Sequence, residues 1–218
     1  MTDIPLFEAL AAGDRELLLT ELRRRRFKKG EVLFHEGDPG DTLHLIDRGH
    51  IAIRTSTPLG DVLTLSVLGP GDVFGEQALV TADSRRTASA VALEPAETRS
   101  LTADRFDRLR NEEPAINRFL VEVLAAQVRR LSDQVREALY VPAEIRTLRR
   151  LNGLASSFSR PDQTCVIPVT QDDLASLAGV SRPTANRVLK RIEADGVIAL
   201  HRGRLEVLDR DELSRRCR

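Results

Sequence analysis

The spacing of apolar residues changes along the chain, and each change marks a change of element. Between Leu6 and Leu22 the positions Leu6, Leu10, Leu17, Leu18 and Leu22 keep a helical rhythm, and the segment runs into Arg23-Arg24-Arg25-Arg26-Phe27-Lys28-Lys29-Gly30. This spacing predicts a helix that ends in the basic run, where cations suit the negative end of the helix dipole and Gly30 closes the turn. From Glu31 the period falls to two. Short apolar runs at Val32–Phe34, Leu43–Ile46, Ile51–Ile53, Val62–Leu65 and Val73–Phe74 are separated by Gly37-Asp38-Pro39-Gly40, Asp47-Arg48-Gly49, Pro58-Leu59-Gly60-Asp61 and Gly69-Pro70-Gly71-Asp72. Strands punctuated in this way every eight to twelve residues or so predict an antiparallel barrel or sandwich. Two further strands, over Thr87–Leu93 and near Thr98–Leu101, and a short helix near Asp104–Arg110 complete the sheet-rich part.

A long helix follows, from Pro114 to about Leu139. Val121, Leu124, Val128, Leu131, Val135 and Ala138 alternate steps of three and four, the rhythm of a two-helix seam about three heptads long. Asn117, Arg118, Glu122, Arg129, Arg130, Asp133 and Arg136 take the side that suits water. Pro114 fits a first helical turn and Pro142 stops the helix. The stripe is narrower than a helix needs to lie along its own sheet domain, so it favours self-pairing, a dimer axis that also joins two domains, over a long helix packed along its own sheet-rich domain.

Beyond Pro142 the period is again that of short helices. Ile145, Leu148, Leu151 and Leu154 share one face of a helix over Ala143–Ser157, and the loop Ser159–Gln163 leads to a strand at Val166–Val169. Thr170 caps the next helix, which carries Asp172 and Asp173 in its first turn and points Leu174, Leu177 and Ala178 inward. Gly179 makes a turn and Ser181 caps another helix through Asp195, with Ala185, Val188, Leu189 and Ile192 inward. Gly196 ends it, and Val197–Leu200 with Leu205–Leu208 flank His201-Arg202-Gly203-Arg204 as a hairpin wing. Caps, turn glycine and both apolar faces agree on a winged helix-turn-helix, whose second helix enters the major groove of double-stranded DNA. The fold class is therefore α+β. Its predicted parts are a sheet-rich domain over residues 1–111, a helix and hinge over 112–141 and a winged helix-turn-helix over 142–218.

Charge sharpens this division. Lys+Arg and Asp+Glu are both 33 of the 218 residues, but the first 141 residues hold 19 basic and 23 acidic side chains and the remainder 14 and 10. Only one end is thus suited to a polyanion. Cys165 and Cys217 are too few for a disulfide scaffold or a four-thiolate cluster. His35, His44, His50 and His201 are scattered, with no metalloprotease, phosphate-loop or nucleophile-elbow pattern, so neither an enzyme nor a metal centre is expected. Apolar runs stay below the length of a membrane span, which makes the cytoplasm the expected compartment, with no membrane partner.

One stretch carries ligand chemistry. Phe74-Gly75-Glu76-Gln77-Ala78-Leu79 is followed by Arg86-Thr87-Ala88. A glycine admits an anion close to the backbone, a carboxylate accepts from hydroxyls, and an Arg beside a Thr clamps a phosphate. With Lys29-Gly30-Glu31, Gly37-Asp38 and Gly49 before it, this stretch resembles the cyclic-nucleotide-binding β-roll (a jelly-roll-like sheet domain) of the catabolite-activator (CRP/FNR) family. The resemblance implies Gly75 and Glu76 at the ribose 2′-hydroxyl, Arg86 and Thr87 on the cyclic phosphate, and cAMP as the ligand. It also places Leu131 and Ser132 where cAMP-responsive members meet adenine with a Thr-Ser pair, and Leu131 has no hydrogen-bonding group. For DNA it implies Ser181 and Thr184 on phosphates and Arg182 and Arg187 on bases. Pro183 stands where well-known members carry a base-reading Glu, and Asn186 and Lys190 complete the outer face. A homodimer on a palindrome, working with RNA polymerase, is the implied assembly. Two alternatives stay open: DNA binding without cAMP, through a vestigial pocket or another effector, and a nucleotide-binding subunit that regulates another protein.

Overall fold

A computed structural model of the chain describes residues 20–58, 60–80, 85–112, 114–159 and 164–217. The chain divides into two compact units, one made of residues up to Thr55 with Val67–Leu131, the other of Ser56–Ser66 with Ser132–Arg218.

The sheet-rich part of the chain has two four-stranded sheets, ordered β1-β8-β3-β6 and β2-β7-β4-β5. The strands are β1 (Arg23–Phe27), β2 (Val32–Phe34), β3 (Thr42–Arg48), β4 (Ile51–Ser56), β5 (Val62–Leu68), β6 (Val73–Phe74), β7 (Ser89–Ala92) and β8 (Ala96–Thr102). β3 shows how alternation builds the core, because both of its faces are buried. Leu43 and Leu45 join Leu101 in a cluster with Phe106, Leu109, Ile116, Leu120 and Val123 from α2 (Ala103–Glu112) and α3 (Pro114–Tyr140). Ile46, on the other face, joins Phe27, Ile51, Phe74 and Ala90 between the two sheets. A short helix, α1 (Gln77–Val80), follows β6.

The basic run Arg23–Arg26 is not a helix end. It is the edge strand β1, paired with β8 from Arg23↔Ser100 to Phe27↔Ala96. Phe27 anchors it in the core, Arg26 pairs with Glu97 at 3.2 Å, and the arginines stand exposed. Pairing with β8 and burial of Phe27 outweigh the local helical rhythm, and charged side chains suit a sheet edge. Gly30 does close a turn, in a left-handed conformation between β1 and β2 with Glu31 N–H donating to Lys28 O at 3.0 Å. The helix expected from Leu6 lies mostly outside the described residues, which begin with a helical Thr20 and Glu21.

The long helix has two apolar faces rather than one. Ile116, Leu120 and Val123 pack on the sheet, and Leu124, which the heptad reading placed on the seam, is half-buried against the same cluster. Val121, Val128, Leu131, Val135 and Leu139 are exposed, each by more than half of its surface.

The second unit contains α4 (Ala143–Phe158), β9 (Cys165–Ile167), α5 (Gln171–Ala178), α6 (Arg182–Ala194), β10 (Ile198–His201), β11 (Arg204–Val207) and a short α7 (Arg210–Arg215). Its sheet runs β10-β11-β9. All four inward residues expected on α6, namely Ala185, Val188, Leu189 and Ile192, are buried. Thr170 and Asp173 form a reciprocal capping box at the start of α5, and Gly179 ends that helix at φ +60°. Asp173 is itself buried: its Oδ2 serves the cap and its Oδ1 accepts from Thr64 Oγ1 at 2.5 Å.

Candidate nucleotide and DNA sites

The turn after β6 requires glycine for two reasons. Gly75 sits at φ +82°, and a Cβ there would lie 2.7 Å from Arg86 Nη1 and 2.8 Å from Thr42 O. Arg86 fills that space. Its Nη1 donates to Thr42 O (2.7 Å) and Gly75 O (3.0 Å), and its Nη2 donates to Thr42 Oγ1 (2.7 Å). The guanidinium also lies 4.1 Å above the Phe34 ring, with an Asp41 carboxylate 3.5 Å away. Backbone bonds lock the segment to the turn at Gly37-Asp38: Gly37 N–H donates to Arg86 O and Arg86 N–H to Asp38 O, both at 2.9 Å.

Glu76 is buried beside it. Its Oε1 accepts from Gln127 Nε2 on α3 at 2.5 Å. Burial pushes its carboxyl above the usual range, with the Gln127 bond and the Arg130 and Arg86 charges pulling partly back. Burial likewise lowers the Arg86 guanidinium, opposed by Asp41, Asp38 and Glu76. Two polar atoms here are buried without a hydrogen-bond partner: Glu76 Oε2 and Arg86 Nε. Native structures rarely leave buried polar atoms unpaired, so an orphaned acceptor and an orphaned donor in one site point to a ligand. A cyclic nucleotide offers both counterparts, a phosphate for the guanidinium and ribose hydroxyls for the carboxylate, so the residues fit it.

Thr87 extends the site through two glutamines. Its Oγ1 donates to Gln77 Oε1 (3.1 Å), and Gln77 Nε2 donates to Gln127 Oε1 (3.3 Å). Gln127 therefore ties both Glu76 and, through Gln77, Thr87 to the long helix. In sequence the heptad stripe of the outer face masks it. The signal lay on the inner face, where Gln127 continues Ile116, Leu120 and Val123 at helical spacing. Thr42, the main acceptor for Arg86, carried no signal at all, since it lies far away in sequence. Leu131 and Ser132 are exposed on α3, Leu131 within the apolar stripe.

The residues expected to face DNA run from the cap of α6 along its first three turns. Ser181 caps it, accepting from Thr184 N–H at 3.4 Å and sharing a 2.9 Å bond with the Thr184 hydroxyl, with Pro183 in the first turn. Arg182 pairs with Asp172 across the helix-turn-helix at 2.9 Å. Asn186 donates to Gln171 Oε1 at 2.6 Å, and Lys190 pairs with Glu193 at 2.8 Å. Arg187 is exposed. These pairs are mostly exposed and so are weak enough to be exchanged for phosphates or base edges.

Comparison with known proteins bears on both halves of the chain. Residues 24–113 match the cyclic nucleotide-binding domain family and residues 145–216 the Crp-like helix-turn-helix domain family. The cyclic AMP receptor protein of Thermus thermophilus is 32% identical over 95% of this chain and 94% of its own length. The chain belongs to the CRP/FNR family. A CRP-like cAMP-activated global transcriptional regulator from Mycobacterium tuberculosis is 30% identical, covering 98% of this chain and 96% of that protein. The solved structure of the c-di-GMP responsive global regulator CLP of Xanthomonas campestris superimposes with a TM-score of 0.70 at 26% identity, covering 90% of this chain and 99% of that one. As a CRP/FNR protein the chain is a DNA-binding transcriptional regulator with a cyclic nucleotide-binding domain. Among the described residues no helix is long and apolar enough to cross a membrane, and no cluster of His, Cys, Asp or Glu is placed to hold a metal ion.

Proposed function

We propose that the chain works as a homodimer whose grip on an inverted-repeat operator is set by cAMP. The nucleotide sits at Gly75, Glu76, Arg86 and Thr87, and Ser181, Arg182, Pro183, Thr184, Asn186, Arg187 and Lys190 meet DNA. The orphaned pair, Glu76 Oε2 and Arg86 Nε, is the observation that supports this most. The exposed stripe of α3 is the surface on which two copies pair, and Gln127 carries the state of the site to that helix. RNA polymerase is the further partner, and the cytoplasm the compartment.

A second reading has its own support. The family resemblance puts Leu131 where adenine would be met; the side chain has no polar group and lies exposed. A relative of this fold is described as responding to c-di-GMP. The effector of this chain is then another cyclic nucleotide, with the phosphate and ribose residues unchanged. Calorimetric titration of nucleotide-stripped protein with cAMP, cGMP and c-di-GMP separates the two. Saturable one-site heat with cAMP alone is the expected result. Preference for another nucleotide selects the second reading, and no heat with any of them rejects both.

A further inference from the structure

One side chain joins the end of the long helix to the turn of the helix-turn-helix. Arg146, in the first turn of α4, donates Nε to Ala178 O at 3.0 Å and Nη2 to Gly179 O at 2.9 Å, so one edge of the guanidinium takes two successive carbonyls at the end of α5. Its Nη1 donates to Ala138 O (2.9 Å) and Val141 O (3.0 Å), at and just past the end of α3. These carbonyls belong to helix termini, where the helix itself supplies no donor. Both termini are also the negative ends of their dipoles, so the cation is favoured twice. Only arginine offers a planar array of five donors able to serve four acceptors on two sides; lysine carries a single rotating ammonium.

The sequence predicts a hinge at the end of the 112–141 segment, where Pro142 stops the helix, and Arg146 bridges it. A second tie lies beside it: Glu137 pairs with Arg149 at 3.4 Å and Arg150 at 3.1 Å. Without Arg146 that tie remains, but the bonds that fix the recognition turn against the end of α3 are lost.

We infer that Arg146 is a positioning residue that selects operator spacing. In a dimer paired along α3, the distance between two copies of α6 depends on how rigidly each is held to that helix. A fixed distance accepts half-sites about one DNA turn apart and rejects others. This inference rests on the homodimer reading above.

The test compares wild type and Arg146→Lys, both with saturating cAMP, on inverted repeats whose spacer is lengthened or shortened by one and two base pairs, and on an isolated half-site. Wild type should show a sharp optimum. Arg146→Lys should lose at least tenfold of the preference between the optimal spacer and its neighbours while binding the half-site as wild type does. Spin labels at exposed Leu208 in the two copies should give one narrow distance in wild type and a broad distribution in the variant. An unchanged optimum, an equal loss on every duplex including the half-site, or failure of the variant to fold each overturns the inference. A wild-type chain with no preference for any inverted repeat overturns the homodimer reading as well.

Discussion

Arg86 is stored against Phe34 and Thr42, with its Nε buried and without a hydrogen-bond partner. Arg86→Ala should weaken nucleotide binding by about 2–5 kcal/mol, the scale of losing a buried charge-assisted contact; calorimetry reads this, and undiminished affinity would show the clamp misassigned. Gly75→Ala faces both a left-handed backbone and the 2.8 Å approach to Thr42 O. It should lower stability by ~1–3 kcal/mol, read as a fall in melting temperature. His44 makes a pH prediction. Its ring stacks on Phe74 at 5.1 Å, with Nδ1 3.1 Å from Thr98 Oγ1. Burial, then the Arg86 charge and more weakly that of Arg25, lower its pKa from 6.5 to about 3. A depressed histidine pKa means the unfolded state takes up the proton first, so this group's stability is complete above pH 6.5 and falls as pH drops toward 3. The loss approaches about 1.4 kcal/mol per pH unit within that window. NMR should find the His44 ring neutral at pH 5; protonation there would contradict the burial argument.

Elements differ in how much of themselves they show in sequence, and the reason is the range of the forces that shape them. The helix-turn-helix was legible because its determinants are local: Thr170 and Asp173 cap each other three residues apart, and Gly179 and Ser181 mark the turn and the next cap. The strands were legible where alternation and turn glycines coincided. β1 was not, because Arg23–Arg26 become a strand only through β8, more than seventy residues away. The inner face of α3 was obscured by its outer one, so Gln127, the tie to Glu76, went unread. The outer face carries a prediction. Val128 and Val135 are 62% and 59% exposed in the single chain. Replacing both with Glu should leave each copy folded and raise the dimer dissociation constant at least a hundredfold, since like charges would meet in an apolar seam. Sedimentation reads this; an unchanged dimer would place the axis elsewhere.

At the scale of the whole molecule, two sites on one chain amount to regulation only if they are coupled, and coupling by binding is reciprocal. A nucleotide that tightens operator binding must itself bind more tightly to the operator complex. Arg187, exposed on α6, is the base reader proposed for the second site: Arg187→Ala should relax sequence preference by about 1–3 kcal/mol at one base pair, and an equal loss on random DNA would make it a phosphate contact instead. The most direct measurement is fluorescence anisotropy of a labelled inverted-repeat duplex, selected from random sequence by the protein, against nucleotide-stripped chain with and without saturating cAMP. Tight binding that appears with the nucleotide, exceeds that on scrambled DNA and is lost in Arg86→Ala is the expected result. Equal affinity with and without any cyclic nucleotide, or equal affinity for the scrambled duplex, would contradict the account.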